Sequence, residues 1–238
     1  RLFFFRRSTV LVMDVLGLFR LEIDGKNAPE LPVIGLTVVS YSISILLFST
    51  HLIVFSFTQK MWTTIGKVLA SFCMSTILGF CAYISSIAVK DDHKLYVVGI
   101  LLTYYCSLTH SSWLLTMSFE CWWISTKTKR QRTYESQHTS RFIWYSIFSW
   151  VEPIVFLGLA LYAEFFDVPA TVLPSYLKPT FISNEEGYNF QPTLAFVLFF
   201  VGPLCFNLLL NAVFSTRTYC LMQNLITSAY SSENIELV

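Results

Sequence analysis

Glu152, Glu120, His51, His110, Asn207 and Asn211 all stand inside long apolar stretches of this chain. An ionisable or amide side chain at membrane depth is costly without a partner. Each therefore either bonds a neighbouring helix or lines a polar cavity. Glu152 sits within its stretch, in Trp150-Val151-Glu152-Pro153, and reads as a pocket or switch residue. Glu120 lies close to the end of another stretch, where a snorkelling carboxylate is the plainer reading. Hydrogen bonding between helices is the plainer reading for the two histidines. Asn207 and Asn211 are one turn apart and share a helix face, which also favours bonding to a neighbour. Pro153 and the pair Gly202-Pro203 fall within helical stretches. A proline there removes a backbone bond and predicts a kink. No catalytic constellation accompanies these residues. There is no Walker loop, no His-Glu-x-x-His, no GxSxG and no CxxC or other metal spacing. His110 and Ser111 are adjacent, which turns their side chains apart on a helix. Neither enzymatic activity nor a cofactor or metal is expected.

The elements that must position these residues are membrane helices. Apolar residues make up 54% of the 238 residues and charged residues 13%, about half the charge of a soluble domain. Five apolar stretches, at about 32–57, 67–89, 95–125, 141–163 and 192–214, are each long enough to cross a bilayer. The expected fold is an all-α membrane protein with five transmembrane helices, leaving no sizeable soluble domain. The formal net charge of +1 gives no sign of a nucleic-acid partner. The six cysteines lie in or beside the stretches and read as small packing residues rather than a disulfide framework.

Lys and Arg in the short loops set the orientation. Lys60, Lys67, Lys127, Lys129, Arg130, Arg132, Arg141 and Arg217 fall on one side. Lys90, Lys94 and Lys178 fall on the other, among acidic residues. The basic side is expected in the cytoplasm and the N-terminus outside, although Arg1, Arg6, Arg7, Arg20 and Lys26 weigh the other way. Residues 1–31 read as a remnant of an extracellular domain or linker, an interfacial helix or a targeting segment. The outer connection of about 164–191, with Pro169, Pro174 and Pro179, reads as a lid or a passive tether. Residues 215–238 read as a cytoplasmic tail or third cytoplasmic loop. Their terminal Val238 carboxylate either fits a peptide-binding module or matches one by accident.

The third stretch contains Gly99-Ile-Leu-Leu-Thr-Tyr-Tyr, then Ser112-Trp113-Leu114, then Ser118-Phe119-Glu120-Cys121-Trp122-Trp123. Gly66-Lys67 opens the second. Arg141-Phe142, Tyr145, Trp150 and Pro153 mark the fourth, and Gly202-Pro203 with Asn211 the fifth. Together, over about 31–222, these resemble the Methuselah-like receptors, insect G-protein-coupled receptors of the secretin/adhesion-like class. The resemblance implies the first five helices of a seven-helix bundle in the plasma membrane. It implies an extracellular ligand, with a peptide among the candidates, and a heterotrimeric G protein as partner. A ligand pocket would involve His110, Glu152 and Trp113. Pro153, Gly202, Pro203 and Asn211 would serve kinks or switching. Glu120, Lys127, Lys129, Arg130, Arg132 and Arg217 would face the G protein. The chain departs from the family at several places. The stretches that should carry its outer disulfide have no Cys, its third-helix Asp is Glu120, and Val151-Glu152 interrupts its pattern before Pro153. A truncated or inactive copy is therefore an open reading. So is half of a transporter or channel, although that predicts an inverted repeat, and no convincing match joins the first span to later ones.

Overall fold

In the computed structural model, residues 30–57, 63–89, 92–127, 139–166 and 197–235 are described. They form helices and short caps, with no strand among the described residues. The helices are α1 (Glu30–Ser56), α2 (Thr64–Ala88), α3 (His93–Ser125), α4 (Thr139–Phe165) and α5 (Gly202–Ile235). One π-helical turn, Val197–Val201, leads into α5. Two of the starts are built from the sequence locally. The Thr63 hydroxyl accepts from the Gly66 N–H at 3.1 Å and opens α2. The Asp92 carboxylate accepts from the N–H groups of Lys94 and Leu95 and opens α3.

Polarity runs opposite to that of a water-soluble bundle. Leu36, Leu46, Trp144 and Leu209 are exposed on the outside, at 67–70%. Thr76, Thr109, Ser111, Ser112, Thr116, Ser149, Glu120 and Asn207 are buried inside. In hydrocarbon a large apolar side chain loses nothing by facing outward, whereas a hydroxyl or amide must find a partner within the protein. The chain is an all-α membrane protein.

Among the described residues, four stretches are long and apolar enough to cross a membrane: Gly35–Ser56, Thr64–Ala88, Ser140–Ala163 and Val197–Leu225. Each of the five expected stretches coincides with a helix, and four of them meet that standard of length and apolarity. The stretch at 95–125 does fold as a 33-residue helix, but it falls short in hydropathy. Thr109, His110, Ser111, Ser112, Thr116, Ser118 and Glu120 lie along it, and its neighbours rather than lipid receive them. The fifth helix also continues beyond the expected end at 214, to Ile235.

α3 is the hub, packing against α2, α4 and α5, whereas α1 packs chiefly on α2. The α2–α3 crossing is close because small residues meet there. A Cβ on Gly79 would lie 3.2 Å from the Cys106 Cβ, and one on Gly99 only 2.6 Å from the Ser86 Cβ. α1 docks through Tyr41, whose ring stacks on Phe80 at 4.4 Å and meets Tyr83 edge-on at 5.3 Å. Its serines do not call for another partner. Ser40, Ser42, Ser44 and Thr50 donate to carbonyls four residues back, and Ser56 to one three back, within α1 itself.

Candidate functional site: a polar seam along the third helix

α3 carries Ser112, Thr116 and Glu120 at four-residue spacing, one ridge of the helix. The ridge faces α4 and is answered in reverse order by Glu152, Ser149 and Tyr145. Ser112 bonds Glu152. Thr116 Oγ1 and Ser149 Oγ are 3.0 Å apart. The Tyr145 hydroxyl donates to Glu120 Oε2 at 2.7 Å. Residue numbers rise on one helix as they fall on the other, so α3 and α4 run antiparallel.

A second ridge faces α5, and there the numbers rise together. The Tyr104 ring lies 5.0 Å from that of Phe200. Leu108 and Leu204 share one apolar cluster. Asn207 donates to Ser111, Ser118 bonds Asn211, and Phe119 meets Phe214. α3 and α5 therefore run parallel. On the α2 side, Thr76 Oγ1 lies 2.7 Å from His110 Nδ1, and the Phe72 ring is 4.4 Å from the imidazole.

The ridges meet at one cluster. Asn207 Nδ2 donates to Ser111 Oγ at 3.1 Å, Ser112 Oγ at 3.2 Å and Glu152 Oε1 at 3.4 Å. Ser112 has one hydroxyl hydrogen and two acceptors in reach, the Leu108 carbonyl at 2.9 Å and Glu152 Oε2. Acceptors outnumber donor hydrogens, so the same heavy atoms support more than one hydrogen-bond arrangement. Among the described residues Glu152 makes no ion pair, and its partners are neutral donors from two other helices. Four residues along, the Asn211 amide turned over would donate to Ser118 Oγ, freeing the Ser118 hydrogen for the Leu114 carbonyl at 3.1 Å.

At the far end of the seam Glu120 is fully buried. It takes the Tyr145 hydroxyl and stands 3.5 Å from Arg141 Nη1. A buried carboxylate keeps its place only with such partners, and these draw the start of α4 onto α3.

The residues singled out from the sequence fall in different places. His110 turns to α2, Glu152 to the Ser112–Asn207 cluster, and Trp113 into an apolar cluster with Val68, Phe72, Cys73 and Leu114. They do not converge on one point. Glu120, expected at the G-protein face, is enclosed between α3 and α4. Its ridge position, eight residues past Ser112, aims it at Tyr145 rather than outward. Pro153 is buried in an unbroken α4, and Gly202 and Pro203 begin α5 directly after the π-turn. Asn207 and Asn211 both bond to α3. His51 is exposed and stacks on Phe55. Lys127 ends the α3 segment with its ammonium 4.4 Å from the Trp123 ring centroid, and Arg217 is exposed on α5. Lys129, Arg130 and Arg132 lie outside the described residues, as do residues 1–29 and 167–196 with the candidate lid.

Sequence reasoning gave no bonding role to Ser111, Thr116, Ser149, Tyr104 or Thr76. A hydroxyl in an apolar helix is ordinary, since it can bond its own backbone. The available signal was pairing: hydroxyls and carboxyls at 112, 116 and 120 match polar positions at 145, 149 and 152.

The seam holds three helices together through side-chain hydrogen bonds and the Arg141–Glu120 ion pair. No group of three His, Cys, Asp or Glu suited to a metal occurs among the described residues. No protein-family profile matches the chain. It is similar to the G-protein coupled receptor Mth2 of Drosophila yakuba, at 24% identity over 155 residues. The match covers 64% of this chain and 28% of that receptor's length. A receptor-like helical membrane protein is the coarsest description that similarity and fold share.

Proposed function

We propose that the chain is part of the helical core of a Methuselah-like G-protein-coupled receptor. It sits in the plasma membrane with its N-terminus outside. A ligand acting from outside shifts α3, α4 and α5 against one another, and the inner ends of α3 and α5 pass the change to a heterotrimeric G protein. The observation that carries this reading is the Glu152–Ser112–Asn207 cluster. It ties those three helices at one point and has alternative hydrogen-bond arrangements on fixed atoms. Such an element converts a small shift into a choice between discrete states. Similarity to a receptor over 155 residues supports the same reading. The basic residues Lys127, Lys129, Arg130, Arg132 and Arg217 on one side support the orientation.

The test is guanine-nucleotide exchange. The product of the full transcript is expressed in insect-cell membranes with each class of Gα and with Gβγ, beside membranes lacking it. Exchange on at least one Gα should rise above the control, and replacing Lys127 and Arg217 by Ala should lower it. Exchange at the control level on every Gα, for the natural form and for an Asn207→Ala variant made to loosen the seam, would refute signalling.

A further inference from the structure

Pro203 has no N–H, so the carbonyl four residues earlier, that of Phe199, lacks its usual helical donor. In hydrocarbon an unmatched carbonyl is costly. The Tyr104 hydroxyl of α3 donates to Phe199 O at 2.7 Å. The Tyr104 ring lies 5.0 Å from that of Phe200, and both residues are at most 5% exposed. The carbonyl belongs to the π-turn Val197–Val201, which places one residue more in a turn than an α-helix does. Pro203 thus creates the orphan, and a residue ninety-five positions away in sequence fills it.

We propose that the Tyr104 hydroxyl is a latch that fixes the register of the start of α5. With the bond made, Phe199 O points at α3 and the π-turn is held. With the bond broken, the carbonyl must seek another donor, and the turn can give up its extra residue. That change rotates Val197 and Leu198, both exposed, by about 100° around the axis relative to Tyr104. The inference is independent of the receptor reading, because it concerns how α5 is anchored whatever the helices transmit.

The test is a double-mutant cycle read by amide hydrogen exchange in lipid nanodiscs. Tyr104→Phe keeps the ring on Phe200 and removes only the hydroxyl. It should speed exchange of the amides from 199 to 206 by about 3- to 15-fold, the range for one interhelical hydrogen bond, and leave α2 unchanged. Pro203→Ala returns an N–H to Phe199 O, so in that background Tyr104→Phe should change exchange less than about 2-fold. Pro203→Gly restores the same N–H and replaces Pro203→Ala if the latter does not fold. Equal fold-changes with and without Pro203 would overturn the latch. So would no change on removing the hydroxyl, or an increase spread evenly over α2, α3 and α4.

Discussion

Asn207→Leu is the sharpest perturbation of the seam, because one amide serves three acceptors on two helices. Leucine has as many side-chain heavy atoms as asparagine and prefers a helix, so propensity changes little, and its bulkier methyls can only add to the loss. The loss is in hydrogen bonding. Two amide hydrogens cannot make three full bonds, and the 3.4 Å contact to Glu152 is the longest. Two bonds at the interhelical scale of about 0.6–1.7 kcal/mol give about 1–3 kcal/mol. The Glu152 oxygen left facing leucine adds on the order of 1 kcal/mol for an unmet buried acceptor. The expected loss is about 2–4 kcal/mol. At about 2–4 °C per kcal/mol for a domain of this size, Tm should fall by about 5–15 °C. The assay is thermal unfolding in mild detergent, followed by tryptophan fluorescence, since Trp113 and Trp150 report packing beside the seam. Asn211→Leu is the comparison. It breaks a single contact to Ser118, which retains the Leu114 carbonyl, so it should cost about a third as much. A Tm within 2 °C of the natural protein for Asn207→Leu, or equal losses for the two substitutions, would refute the idea that Asn207 is where three helices are tied.

Four further substitutions test the α2–α3 crossing and the Glu120 end of the seam. Gly99→Leu should be poorly tolerated, losing about 1–3 kcal/mol or more, because its Cβ starts 2.6 Å from that of Ser86. Gly158→Leu, with nothing within 4 Å, should stay within about 0.5 kcal/mol, and equal unfolding midpoints for the pair would contradict the close crossing. At the Glu120 end of the seam, Tyr145→Phe should cost about 1 kcal/mol. Arg141→Met should cost about 3–5 kcal/mol, since it strands the buried Glu120 carboxylate. The same unfolding assay decides that order, and the reverse order would mean Arg141 does not neutralise Glu120.

How much of this was legible in the sequence depends on which side of each helix is considered. The lipid-facing sides declare themselves: Leu46, Ile53, Val155 and Leu209 are exposed, and apolar length alone places the helices that carry them. The interior is harder to read, because its currency is hydroxyls. Ser112 and Thr116 bond across to α4. Ser40 and Thr50, of the same residue types in a similar apolar setting, only bond back to α1. Nothing local separates the two cases; the neighbouring helix does. Glu152 and Asn207 were visible as costly residues, but their convergence on Ser112 needs the relative rotation of three helices. The low hydropathy of α3 therefore carries information. A helix surrounded by others can drop below the apolarity of a lone span, since its polar groups are met by protein. That deficit, taken with membrane length, marks α3 as the centre of the bundle. It also explains why the residues able to couple one helix to another gather there. On α1, which among the described residues packs chiefly on α2, a carboxylate at the depth of Glu152 would meet none of these partners.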